Sequence, residues 1–117
     1  MMELERLMVK VAATRAGLQV IEPPVLVGRS GATHTFSFLA TDGFQSFAFD
    51  FYDRVGEVDL LSSYVKMMDT GVMVNIVCFH GNPSIEAEGG AKDYRIRILR
   101  PGELSKFFEK KVATASA

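Results

Sequence analysis

The sequence predicts an α/β domain with a mixed β-sheet flanked by helices. Three observations along the 117 residues lead there. Apolar residues at helical spacing alternate with β-prone runs. The aromatic-rich stretch Thr33 to Tyr52 is divided by Asp42-Gly43, a hairpin signal that demands antiparallel pairing. The helical stretch Glu57 to Asp69 runs through Gly71 into the apolar segment Val72 to Phe79. Helix, glycine and doubly buried strand form half of a crossover unit, which demands parallel pairing. A sheet holding both kinds of pair must be mixed, with helices covering its faces.

The elements follow in order. Leu4, Leu7, Met8, Val11 and Ala12 recur at helical spacing, with Glu3, Glu5, Arg6 and Lys10 on the other side, so a first amphipathic helix is expected to end near Gly17. Leu18 to Ile21 reads as a short edge strand or an extended connector, because Pro23-Pro24 bars a central strand. Gly28 to Gly31 reads as a loop. The hairpin strands are Thr33 to Ala40 and Phe44 to Tyr52, the second placing Phe47, Phe49 and Phe51 on one face. In the next helix Val58, Leu61, Val65 and Met68 form one apolar stripe, widened by Leu60 and Tyr64, and Gly71 sits well for a left-handed stop. Asn82-Pro83 suggests a helix start with Asn82 as N-cap, and Gly89-Gly90 suggests that this helix is short. Arg95 to Leu99 reads as a last strand. Glu103 to Lys110 reads as a closing helix with Leu104, Phe107 and Phe108 inward. The organisation expected is a single domain over residues 1–111 and a patternless tail, 112–117.

Composition narrows the function classes. There are 13 Lys+Arg against 14 Asp+Glu, so a strongly basic nucleic-acid-coating protein is excluded, although a local basic patch is not. Seven basic residues and three acids between Lys92 and Lys111 give that segment a net +4. The single Cys78 excludes an intramolecular disulfide and a multi-cysteine zinc site. The longest apolar run is far too short to span a bilayer. The expectation is a cytoplasmic protein with no membrane partner.

Three stretches carry a resemblance to a known family: Gly28 to Phe36 before the hairpin, Val58 to Phe79 with Asp69-Thr70-Gly71 at its corner, and Asn82 to Leu99 leading to Glu103-Leu104. Together with the element order they resemble the restriction-endonuclease-like fold of the PD-(D/E)XK superfamily, nearest the Mrr-type branch and related small archaeal proteins. The resemblance implies carboxylates that hold Mg²⁺ at the scissile phosphate and a lysine two residues past the last of them. Glu5 or Glu3 would stand for the helical Glu, and Asp50 for the acid and metal ligand of the second hairpin strand. The first-strand carboxylate would fall near Ser37, and the lysine at Tyr52. Two positions of the set are thus missing. Lys66 on the following helix and His34 are the residues available to replace them.

The resemblance therefore implies a degenerate site, and the leading expectation is a non-catalytic binding or assembly module without a cofactor. The apolar inventory of so small a chain adds the expectation of a homodimer. One alternative is a divergent Mg²⁺-dependent DNA nuclease using Glu5, Asp50 and Lys66. The other is a DNA-binding protein without cleavage, using Arg29, His34, Arg95 and Arg97, the last two on one face of a strand.

Overall fold

The computed structural model describes residues 2–116, and the surroundings of side chains 3–110. In chain order the elements are α1 (Met2–Arg15), β1 (Gln19–Val20), β2 (Val25–Val27), β3 (Thr33–Thr35), β4 (Phe38–Thr41), β5 (Ser46–Tyr52), α2 (Glu57–Thr70), β6 (Val74–Cys78), α3 (Ile85–Tyr94), β7 (Ile98–Leu99) and α4 (Leu104–Ser116), with a 3-10 turn, Pro101–Glu103, before α4. The main sheet has the order β1-β4-β5-β6-β7. Its β1–β4 and β4–β5 pairs are antiparallel, and its β5–β6 and β6–β7 pairs are parallel. The mixed sheet is therefore as expected. Strands β2 and β3 form a separate two-stranded ribbon.

Strand alternation sorts the core into two layers. Phe47, Phe49 and Phe51 of β5 join Phe38 and Val77 beneath α1 and α4, where they meet Val9, Ala13, Leu104, Phe107 and Phe108. Phe49 is fully buried at the centre, with ring centroids 5.4 Å from Phe108, 5.7 Å from Phe107 and 6.0 Å from Phe38. The opposite face carries Ile76 and Cys78 under Leu60 of α2 and Ala87 of α3, and Ala48 and Val74 beside Leu39. Every residue of β6 is buried, as its apolar run implies. No helix among the described residues is long and apolar enough to cross a membrane.

Several local expectations are corrected. The predicted strand Thr33 to Ala40 is two strands, because the chain leaves the ribbon at Phe36-Ser37 to enter the main sheet. The hairpin connection spans four residues, with Asp42 Oδ1 accepting the N–H groups of Phe44 and Gln45 at 2.8 Å each. Helix α3 begins after Ser84, whose hydroxyl accepts the Ala87 N–H, and not after Asn82, whose side chain instead meets Arg100. It also continues through Gly89-Gly90. A Cβ at Gly90 would stand 3.0 Å from Leu60 Cδ1, so that glycine lets α3 lie close against α2. Arg95 is the left-handed cap of α3 (φ 58°), and β7 is only Ile98–Leu99. Arg95 and Arg97 therefore do not share a strand face. Helix α4 runs to Ser116 and does not stop at Lys110.

The largest correction concerns the faces of α1 and α2. Most of both predicted core stripes points outward, and of their members only Ala12 on α1 and Leu60 and Tyr64 on α2 pack inward. Leu4, Leu7, Met8 and Val11 are exposed, and so are Val58 (79%), Leu61, Val65 and Met68. The inward positions are Val9 and Ala13 on α1, and Leu60 and Ser63 on α2. Small residues on α1 suit close packing over the phenylalanine-rich face of the sheet. On α2, the inward side is the one from which Ser63 and Lys66 reach Asp50.

Candidate functional site

Asp50 sits in β5 between Phe49 and Phe51, so its side chain faces α2 while theirs face α1 and α4. It is only 3% exposed. Each carboxylate oxygen has a donor from α2: Lys66 Nζ donates to Oδ1 at 2.7 Å, and Ser63 Oγ donates to Oδ2 at 2.6 Å. Ser63 and Lys66 are three residues apart, which puts them on adjoining turns of one helix face. Lys66 Nζ also donates to the Thr35 carbonyl at 3.0 Å and lies 4.8 Å from the Phe36 ring centroid. Its charge is thus held by a carboxylate, a carbonyl and a π face. Tyr52 is two residues along on the same face of β5. Burial, and after it the Asp50 charge, pushes its phenol above the ordinary range.

Of the residues proposed for hydrolysis, Asp50 and Lys66 meet. Glu5 does not join them, because α1 covers the other face of the sheet. Glu5 extends the inward line of Val9 and Ala13, and its Oε2 is inaccessible and without a hydrogen-bond partner. Ser37, at the position of the absent first-strand carboxylate, uses its hydroxyl to accept the Phe51 N–H at 2.9 Å. That bond satisfies the β5 backbone just before β4 begins. Among the described residues no group of three or more His, Cys, Asp or Glu side chains is placed to hold a metal ion. A cation at Asp50 would share each carboxylate oxygen with a donor from α2, the Lys66 ammonium on Oδ1 and the Ser63 hydroxyl on Oδ2.

A second polar cluster gathers at the C-terminal end of α2. Asp69 Oδ1 accepts the Ser30 N–H at 2.9 Å, and Oδ2 accepts the Ser30 hydroxyl and His34 Nε2–H, each at 2.7 Å. The Asp69 carbonyl accepts the Arg29 N–H. Led by the Ser30 hydroxyl and then His34, these donors hold the Asp69 carboxyl down to about 2. Gly28 makes the approach feasible, since a Cβ there would lie 1.9 Å from Asp69 Oδ2. The cluster ties the β2–β3 ribbon to α2. It also occupies His34, which the sequence offered for nucleic acid or metal. Arg29 remains exposed, with Nη2 beside Gly71 at the end of α2.

Arg97 lies on the α4 side of the sheet, whereas Arg29 and His34 stand at the end of α2 on the other. Arg97 lies over the Phe107 ring, 5.7 Å from its centroid, and lines a groove of about 300 Å³ with Lys106 and Lys110. His80 Nδ1 and Asp53 Oδ1 are 3.1 Å apart, joining the exposed loops that follow β6 and β5. Sequence reasoning missed Ser63 and the role of Asp69. The available signal was the i, i+3 spacing of Ser63 and Lys66 on the side of α2 away from its apolar stripe.

The outward stripes complete the picture. On α1, Leu7, Met8, Val11 and Arg15 border a groove of about 360 Å³ with Pro101 and Leu104. On α2 the stripe lies open. Contiguous apolar surface of this kind marks interaction sites on folded chains.

The fold and these clusters define an α/β domain built on a mixed sheet. No family model matches the chain, and no curated protein matches it. Among solved structures it is similar to a protein of unknown function, AF1548, with a TM-score of 0.70 and 14% sequence identity over 86% of this chain and 58% of that one. The chain spans a little over half the length of that relative, and the likeness establishes the fold alone.

Proposed function

We propose that this chain is a non-catalytic protein of restriction-endonuclease-like topology that works as a binding and assembly module. The observation that carries the reading is that α1 and α2, on opposite faces of the sheet, turn their more apolar stripes to solvent. The enclosure of Asp50 supports it, because a carboxylate engaged at both oxygens by its own chain is poorly placed to ligate Mg²⁺. The test is supercoiled plasmid incubated with the chain in Mg²⁺ or Mn²⁺. The expected result is no nicking above the Asp50→Asn variant. Nicking that Asp50→Asn abolishes would establish the nuclease alternative, with Asp50 and Lys66 at its centre.

Duplex DNA binding without cleavage is the second reading, favoured by the groove that holds Arg97 and Lys106. Its mode would be phosphate contact, so anisotropy of a labelled duplex should rise with protein and fall steeply with salt. A flat trace at low salt would remove it.

A further inference from the structure

We infer that the outward face of α2 is a homodimer seam, packed antiparallel against α2 of a second copy. The inference rests on the binding-module reading and names its partner. Val58, Leu61, Val65 and Met68 are spaced 3, 4, 3, the a/d pattern of a helix pair, and all four are exposed. The fourteen residues of α2 extend roughly 20 Å, two heptads of seam. An isolated pair of that length is marginal, but α2 is already ordered on the sheet through Leu60, Ser63 and Lys66, so pairing need not fold it.

Charge selects both the partner and the direction. Exposed Glu57 opens α2, and the exposed Arg29 guanidinium stands at its other end beside Gly71. An antiparallel two-fold pair sets Glu57 of each copy against Arg29 of the other and Val58 against Met68, and it opposes the helix dipoles. A parallel pair would set like charge against like. The face is therefore complementary to itself in one orientation.

Sedimentation velocity of the full chain across a concentration series is the test, with far-UV circular dichroism on each variant. The wild type should pass from monomer to dimer. Val65→Glu should keep the native spectrum and weaken dimerisation by roughly 100-fold or more, since a carboxylate in the middle of an apolar seam has no partner. Phe44→Ser, at an exposed phenylalanine in the β4–β5 connection, should leave dimerisation unchanged. Glu57→Arg should weaken it, and adding Arg29→Glu should restore it. Wild-type monomer at about 1 mM overturns the seam. So does a dimer that Leu7→Glu disrupts and Val65→Glu does not. Either result leaves the binding-module reading to α1 or to another partner, whereas Asp50-dependent plasmid nicking would overturn that reading itself.

Discussion

Lys66 Nζ lies 2.7 Å from Asp50 Oδ1, in a pair that joins the middle of α2 to the inner strand β5. Ser63 takes the second carboxylate oxygen, and the Thr35 carbonyl takes a further ammonium proton. The pair is therefore both desolvated and hydrogen-bonded, and its two halves respond unequally to mutation. Removing only the cation strands a buried carboxylate. Lys66→Met should lower the free energy of unfolding by about 3 kcal/mol. The double variant Asp50→Asn, Lys66→Met should recover part of that loss. Urea denaturation of the three variants and the wild type measures both effects, and an additive double variant would show that the pair is not coupled.

Gly28 should tolerate no side chain. In Gly28→Ala the new methyl would occupy the space of the Asp69 carboxylate, which three donors hold in place. The expected outcome is a loosened β2–β3 ribbon with the main sheet intact. Hydrogen exchange should quicken at the Arg29 and Ser30 amides and stay unchanged at β5 and β6. Unchanged protection at Ser30 would contradict this account of the loop.

Asp69 also sets a pH dependence. Its carboxyl is held at about 2 in the folded chain against an ordinary 3.8. A depressed folded value means that the ionised form stabilises the fold, fully above the unfolded value. This contribution fades as pH falls from about 3.8 through about 2. Asp69→Asn should be less stable than wild type at neutral pH, and the gap should close across that acid window. Chemical denaturation at a series of pH values checks the slope, and a gap that widens on acidification would reverse the assigned sign.

The rotation of α2 is tested by two adjacent leucines. Leu60 is fully buried against the sheet and α3, whereas Leu61 is about half exposed. Leu60→Ala should cost about 2–5 kcal/mol, and Leu61→Ala within about 0.5 kcal/mol in the monomer. Thermal or urea melts at a concentration below dimerisation make the comparison. The reverse order would mean that α2 packs through Val58, Leu61, Val65 and Met68.

That stripe shows where the sequence was legible and where it was not. Periodicity located α2 and its stop at Gly71, the buried strand β6 and the inward set Leu104, Phe107 and Phe108. Each depends on a local pattern that tertiary contacts reinforce. Periodicity could not choose between two faces of one helix when the more apolar one faces solvent. On α2 the choice follows from contacts between distant segments, namely Ser63 and Lys66 with Asp50 and Gly90 with Leu60. Gly89-Gly90 misled for the same reason, since a local helix weakness serves close packing. Asp50 was legible as a carboxylate on the second hairpin strand, and Lys66 only as a residue available to reach it. The Asp69 cluster had no sequence signal beyond a small-residue loop, because its members lie 35 and 39 residues apart in the chain.

On the proposed reading Asp50 serves as an internal partner of α2 and not as a metal ligand. Electron paramagnetic resonance of Mn²⁺ titrated with the full chain tests it directly, since bound Mn²⁺ loses its free-ion signal. The expected result is the same free-ion amplitude for wild type and Asp50→Asn throughout the titration. A signal loss with wild type that Asp50→Asn abolishes would contradict it and return Asp50 and Lys66 to catalysis.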